Sequence, residues 1–183
     1  MAIITLSGLH GTGKSTIGKL LSEHVKYYYF STGQAFRDLA EDYEMNIEQF
    51  TEYVENHPEI DKLLDQKAIE VAHNKKNVVI ESQLASYLLK DEADFKILLT
   101  APLEVRVQRM CERDESSYEE KLKETTLRET SEEERFKELY DIDLKDEILK
   151  KEVFNLIINT KSLSIEEIVN KIIRELEEND IIS

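Results

Sequence analysis

Residues 8–15 read GLHGTGKS and follow directly on the apolar, partly β-branched run IITLS, a pairing that constrains this chain more than any other feature. A short buried strand must end there in a glycine-bearing turn and pass straight into the helical pattern that runs from Ser15 to Val25. The turn satisfies G-x-x-x-x-G-K-[ST] in the strand-to-helix setting that gives that pattern its meaning. Main-chain N–H groups of such a loop point inward, and the helix behind it adds the positive end of its dipole, so the loop is built to hold phosphate. Of the five glycines in the chain, Gly8, Gly11 and Gly13 are spent here, which argues against a chance match. Lys14 is expected to reach the β and γ phosphates of ATP, Ser15 to coordinate Mg2+ between them, and Thr16 to meet the α phosphate. Leu9, His10 and Thr12 complete the nucleotide-holding loop, with no separate chemistry assigned to the His10 ring.

Length and charge narrow the setting. A chain of 183 residues suits one domain with its own core. Its formal charge of −15 opposes general attraction to nucleic acid or to anionic membrane. No stretch approaches the roughly 20 apolar residues that span a bilayer, and the opening MAIITLSG lacks a signal-like core. The single cysteine, Cys111, has no partner within the chain and no metal-ligand spacing around it. Together these lead to the expectation of a cytoplasmic protein, monomer or homodimer, without membrane or nucleic-acid partners. Within this acidic chain arginine is concentrated: Arg106, Arg109, Arg113, Arg128 and Arg135 fall in one stretch, and only Arg37 and Arg174 lie outside it. A guanidinium fork matches phosphate oxygens, so the cluster is a candidate phosphate site.

Along the chain, apolar runs at 27–30, 77–82, 94–100 and 153–160 read as four further strands, and helical patterns fall between them. Ser31 or Thr32 can cap a helix over 34–43, Pro58 suits a first helical position, and Ser164 with Glu167 has capping-box spacing before the last helix. The stretch from Leu103 to Lys151 reads as a helical arm with breaks near Asp114–Ser117 and Tyr140–Asp143, and the terminal ENDIIS as frayed. Five strands alternating with helices predict an α/β, three-layer P-loop NTPase fold with a five-stranded parallel sheet, in one domain spanning 1–183. No N-K-x-D segment and no D-x-x-G after the early strands is present, which disfavours a GTPase, and the chain is short for a motor ATPase.

The P-loop GLHGTGKS, the segment STGQAFRDLA, HPEIDKLLDQ, the strand end VVIES, LLTAPLEVRVQR, RETSEEERFKELYDIDL and the late IINT, in this order, resemble the nucleoside monophosphate kinases, most closely the archaeal-type cytidylate kinases. The resemblance covers nearly the whole chain. It implies a helical monophosphate-binding flap around 32–74, a helical lid around 113–140, and phosphoryl transfer from ATP with Mg2+ to a nucleoside monophosphate, CMP or dCMP first. It also implies that Ser31 and Arg37 contact the acceptor, Arg37 at its phosphate. Arg109, Arg113, Arg128 and Arg135 are implied to neutralise the transferring group, and the helical spacings of these arginines place them on shared faces. Glu81 is the candidate for ordering Mg2+, with Asp38 and Asp143 as alternatives.

The chain departs from that pattern at one point. Where the archaeal cytidylate kinases read E-G-R-L-A-G, residues 81–86 read ESQLAS, so Gln83 replaces an arginine. An amide can hydrogen-bond a base, sugar or phosphate but cannot neutralise charge. AMP, UMP or another small acceptor, and an ATP-binding regulatory module with weakened transfer, therefore stand as alternatives at this level.

Overall fold

All four ladders of the sheet are parallel, so each strand must be followed by a crossover, and the helices supply them. The computed structural model describes residues 2–182. Strands β1 (Ala2–Ser7), β2 (Tyr28–Ser31), β3 (Asn77–Glu81), β4 (Phe95–Thr100) and β5 (Leu156–Asn159) form one sheet in the order β2-β3-β1-β4-β5. Helices α1 (Lys14–Val25), α2 (Thr32–Asp42), α3 (Ile47–Glu55), α4 (Pro58–Asn74) and α5 (Ala85–Leu88) belong to the first half. Helices α6 (Leu103–Asp114), α7 (Tyr118–Tyr140), α8 (Glu147–Val153) and α9 (Ile165–Glu178) belong to the second.

Because side chains alternate along a strand, neighbouring residues feed opposite cores. Ile3, Phe30, Val78 and Ile80 face Phe50, Leu64 and Ala68 of α3 and α4. Ile4, Leu6, Val79, Ile97 and Ile158 face Ile17 and Leu21 of α1 and Ile172 and Leu176 of α9. This is the expected three-layer α/β architecture. A smaller cluster of Leu84, Tyr87, Leu98, Phe136, Val153 and Phe154 fastens the end of α7 and α8 over the carboxyl end of the sheet. Met110, Cys111 and Leu122 join α7 to α6.

The strand order places β1 between β3, which closes the first half of the fold, and β4, which opens the second. The chain switches sides there, and the carboxyl ends of β1, β3 and β4 border the crevice where open α/β sheets take their ligands. Local signals match the expected boundaries closely: Ser31 accepts from Gln34 N as the cap of α2, Pro58 starts α4, and Ser164 and Glu167 form a reciprocal capping box.

Three expectations are corrected. β5 starts at Leu156 because Val153 completes α8, and Phe154 then packs edge-on against Tyr87. A short helix, α5, follows β3 where no helix was expected, since four residues are too few to show a period. The described part of the terminal segment is tied down rather than frayed, since Ile181 and Ile182 return against the α1/α9 core; Ser183 lies outside the described residues.

Candidate active site

The loop between β1 and α1 is held open by backbone that only glycine tolerates. Gly8 has φ 149°, and a Cβ there would lie 2.3 Å from the Leu99 carbonyl oxygen of β4. Gly11 has φ 76°, and its Cβ would lie 2.7 Å from the Arg106 carbonyl oxygen. The loop is therefore pressed against β4 and α6, with its geometry set by main chain. Thr12 Oγ1 and Lys14 Nζ both donate to the Leu9 carbonyl, at 2.9 and 3.0 Å, which draws the lysine across the turn. Burial lowers the Lys14 pKa, and the carboxylates of Glu81, Glu132 and Glu129 act in the opposite sense. Ser15 and Thr16 follow at the start of α1.

At the end of β3 the buried Glu81 collects three hydroxyls on one carboxylate oxygen: Ser15 at 3.2 Å, Tyr29 at 3.1 Å and Ser31. Burial and this carboxylate push the Tyr29 phenol far up, so it stays a donor. Ser15 and Glu81 thus meet directly, an all-oxygen pair suited to a hard cation that keeps most of its water. Among the described residues no group of three or more histidine, cysteine, aspartate or glutamate side chains could hold a metal ion. Mg2+ in phosphoryl-transfer sites needs only one or two protein oxygens beside the phosphates. Asp143 caps the turn at Lys145 N, and Asp38 accepts from Gln34 on the exposed side of α2; neither approaches Ser15 by any hydrogen bond.

The expected acceptor residues separate. Ser31 uses its hydroxyl twice, donating to Glu81 and accepting from Gln34 N, and so positions the end of β3. Arg37 is exposed on α2, bonded to Gln34 Oε1 at 2.9 Å, and among the described residues it has no carboxylate partner. In the first turn of the same helix, Thr32 Oγ1 is buried without a partner. Gln83 Nε2 donates to Glu132 of α7 at 2.8 Å and lies 2.9 Å from His10 Nε2, and its Oε1 is buried and unpartnered.

The arginines do not converge on one point as their helical spacing suggests, because each finds its own partner. Arg109 donates to Thr160 Oγ1 and to the Thr160 carbonyl, and Thr160 in turn donates to the Thr12 carbonyl. Arg113, largely exposed, forks onto its neighbour Asp114. Arg128 pairs with Glu132 one turn on, at 2.9 Å, and Arg135 pairs with Asp61 of α4 at 3.0 Å. Of the four, Arg128 shares its carboxylate with His10 of the loop, and Arg135 joins α7 to α4.

Arg106 is the residue whose role the spacing did not disclose. It is 4% exposed, donates to the Ala101 and His10 carbonyls, and forks onto the buried Glu129. It therefore locks the P-loop, the end of β4 and α7 together. The signal available in sequence was the i, i+3 pair Glu129 and Glu132 on a helix otherwise read for its arginines. Tyr140 and Asp65 form a second tie between α7 and α4, with the phenol donating at 2.7 Å. Burial pushes Asp65 up to about 6; the Tyr140 bond opposes that and the nearby Asp61 charge adds to it.

A model of the cytidylate kinase-like family matches residues 3–162. Similar relatives include the cytidylate kinase of Sulfurisphaera tokodaii, 39% identical over 166 residues, 91% of this chain and 90% of that protein. That of Methanosphaera stadtmanae is 37% identical over 177 residues, 97% of this chain and 98% of its own length. Among solved structures, a shikimate kinase from Acinetobacter baumannii in complex with shikimate superposes with TM-score 0.62 at 19% identity, covering 98% of this chain and 94% of that one, which is likeness of fold.

Two outcomes follow from the buried ionisable groups. Arg106→Met strands Glu129 without a partner and is expected to cost about 3–5 kcal/mol in denaturant unfolding, most of it regained in the Arg106→Met, Glu129→Met double variant. Asp65 holds its proton more tightly folded than unfolded, so it makes stability fall as pH rises from about 4 to about 6 and remains a cost above that. Asp65→Asn, which keeps an acceptor for Tyr140, should gain about 2 kcal/mol on the native chain between pH 4 and pH 7, read from unfolding curves at both values.

Proposed function

This chain belongs to the cytidylate kinase-like family, and from that premise we propose that it transfers the terminal phosphoryl group of ATP to CMP or dCMP, giving ADP and the nucleoside diphosphate. The observation that carries the reading is the glycine-shaped loop with a buried lysine at its mouth and a serine–glutamate pair beside it. A triphosphate bound there meets main-chain amides, the α1 dipole and Lys14. Ser15 and Glu81 would hold Mg2+, which would neutralise phosphate oxygens as the β–γ bond breaks.

What remains for the protein is positioning. Lys14, desolvated and steered by Glu81, follows the charge of the leaving phosphate. Thr160, gripped by Arg109, fixes Thr12 and so the floor of the loop. The acceptor phosphate is itself the nucleophile, so no general base is called for. We assign its grip to Arg37, whose guanidinium has no competing carboxylate among the described residues, and we assign the orphaned Thr32 hydroxyl and Gln83 carbonyl, both short of a partner, to the acceptor as well. In this reading α2–α4 form the monophosphate flap and α7 the lid, with Arg128 and Arg135 on the lid and Arg113 peripheral. Closing the two over the site would exclude water, which would otherwise take the phosphoryl group.

No helix in the described residues is long and apolar enough to cross a membrane. We place the reaction in the cytoplasm, with the nucleoside monophosphate as partner and the chain acting as monomer or homodimer. Purified protein with ATP, Mg2+ and each of CMP, dCMP, UMP and AMP is expected to form diphosphate fastest from CMP or dCMP. Lys14→Ala should lose transfer by at least about a hundredfold with its circular dichroism unchanged. Equal turnover of AMP would refute the acceptor assignment, and a fully active Lys14→Ala would refute the site.

A further inference from the structure

Glu132 of α7 is buried, 7% exposed, and the side chains that hold it come from the P-loop, from Gln83 past the end of β3, assigned above to the acceptor, and from α7 itself. His10 Nε2 of the P-loop lies 2.7 Å from Oε2, Gln83 Nε2 lies 2.8 Å from the same oxygen, and Arg128 Nε lies 2.9 Å from Oε1. The Nε2 atoms of His10 and Gln83 also lie 2.9 Å apart, within hydrogen-bond distance, so the two side chains and the carboxylate form one closed contact. Burial alone would push the Glu132 carboxyl up, yet His10, Arg128 and the Gln83 amide hold it well below the usual range. Its charge also acts on the Lys14 ammonium.

We infer that Glu132 is a positioning residue that competes with the nucleotide's terminal phosphate for these donors, and that ATP must displace it. Two anions cannot share these donors, since like charges in a buried site cost each other heavily. A triphosphate entering the P-loop therefore displaces the carboxylate from His10, and that displacement frees Arg128 to turn to the transferring group. Glu132 thereby makes the lid respond to the donor nucleotide: it shields the donors while the site is empty and weakens triphosphate binding by the cost of its own removal. This inference rests on the P-loop as the triphosphate site.

The test uses the full chain and inorganic tripolyphosphate with Mg2+ as probe, titrated calorimetrically into the native protein, Glu132→Gln and Glu132→Asp. Glu132→Gln is expected to bind tripolyphosphate at least about fivefold more tightly than the native chain, with Glu132→Asp close to native. Unchanged or weaker binding by a folded Glu132→Gln overturns the inference, whereas no binding by any of the three proteins overturns the P-loop reading instead. Should Glu132→Gln not fold, a crystal structure of the native chain with tripolyphosphate decides: Glu132 parted from His10 supports displacement, and Glu132 still bonded to His10 with phosphate in the loop overturns it.

Discussion

The contact between the P-loop and the chain nearly a hundred residues later underlies everything else in this molecule. Gly8 lies against the Leu99 carbonyl and Gly11 against that of Arg106, and neither approach leaves room for a side chain. Arg106 then returns through its guanidinium to His10 and Ala101. The loop is thus fixed from below by main chain and from the side by one buried cation, and its amides can face a ligand without help from it. Preorganisation of this kind is what phosphoryl transfer asks of a protein, because the chemistry needs little beyond position and charge.

Electrostatics repeat the economy seen in composition. The chain is strongly acidic, yet its few guanidiniums near the site serve distinct ends. Arg106 binds the loop to α7, Arg109 braces Thr160, Arg128 holds Glu132, and Arg135 joins α7 to α4. Arg37 of α2 has no anionic partner within the described residues. A guanidinium held ready on an acidic protein selects for anionic ligands without making the whole surface sticky.

Much of the fold was legible because its signals are local. Alternation in Ile3-Ile4 and Val78-Val79 reveals strands with two buried faces, and Pro58, Ser164 and Glu167 mark helix ends within a residue. The P-loop was legible because three glycines have one common reason to be together. The arginines were legible as a cluster and not as individuals. Helical spacing says which residues share a face, but the partner a long side chain takes depends on groups from other elements, here Glu129, Asp61 and the Thr160 turn, and nothing in the local sequence reports those encounters. Glu81 stood out only through its place at a strand end; its three hydroxyl donors come from Ser15, Tyr29 and Ser31, residues that only tertiary folding assembles.

The dependence of Gly8 and Gly11 on Leu99 and Arg106 also fixes when the site can exist. A ribosome that has released only the first strand and helix has made the motif but not the cradle, since its opposing wall is still unsynthesised. A fragment that stops short of α6 would carry the signature residues without the wall against which the loop packs.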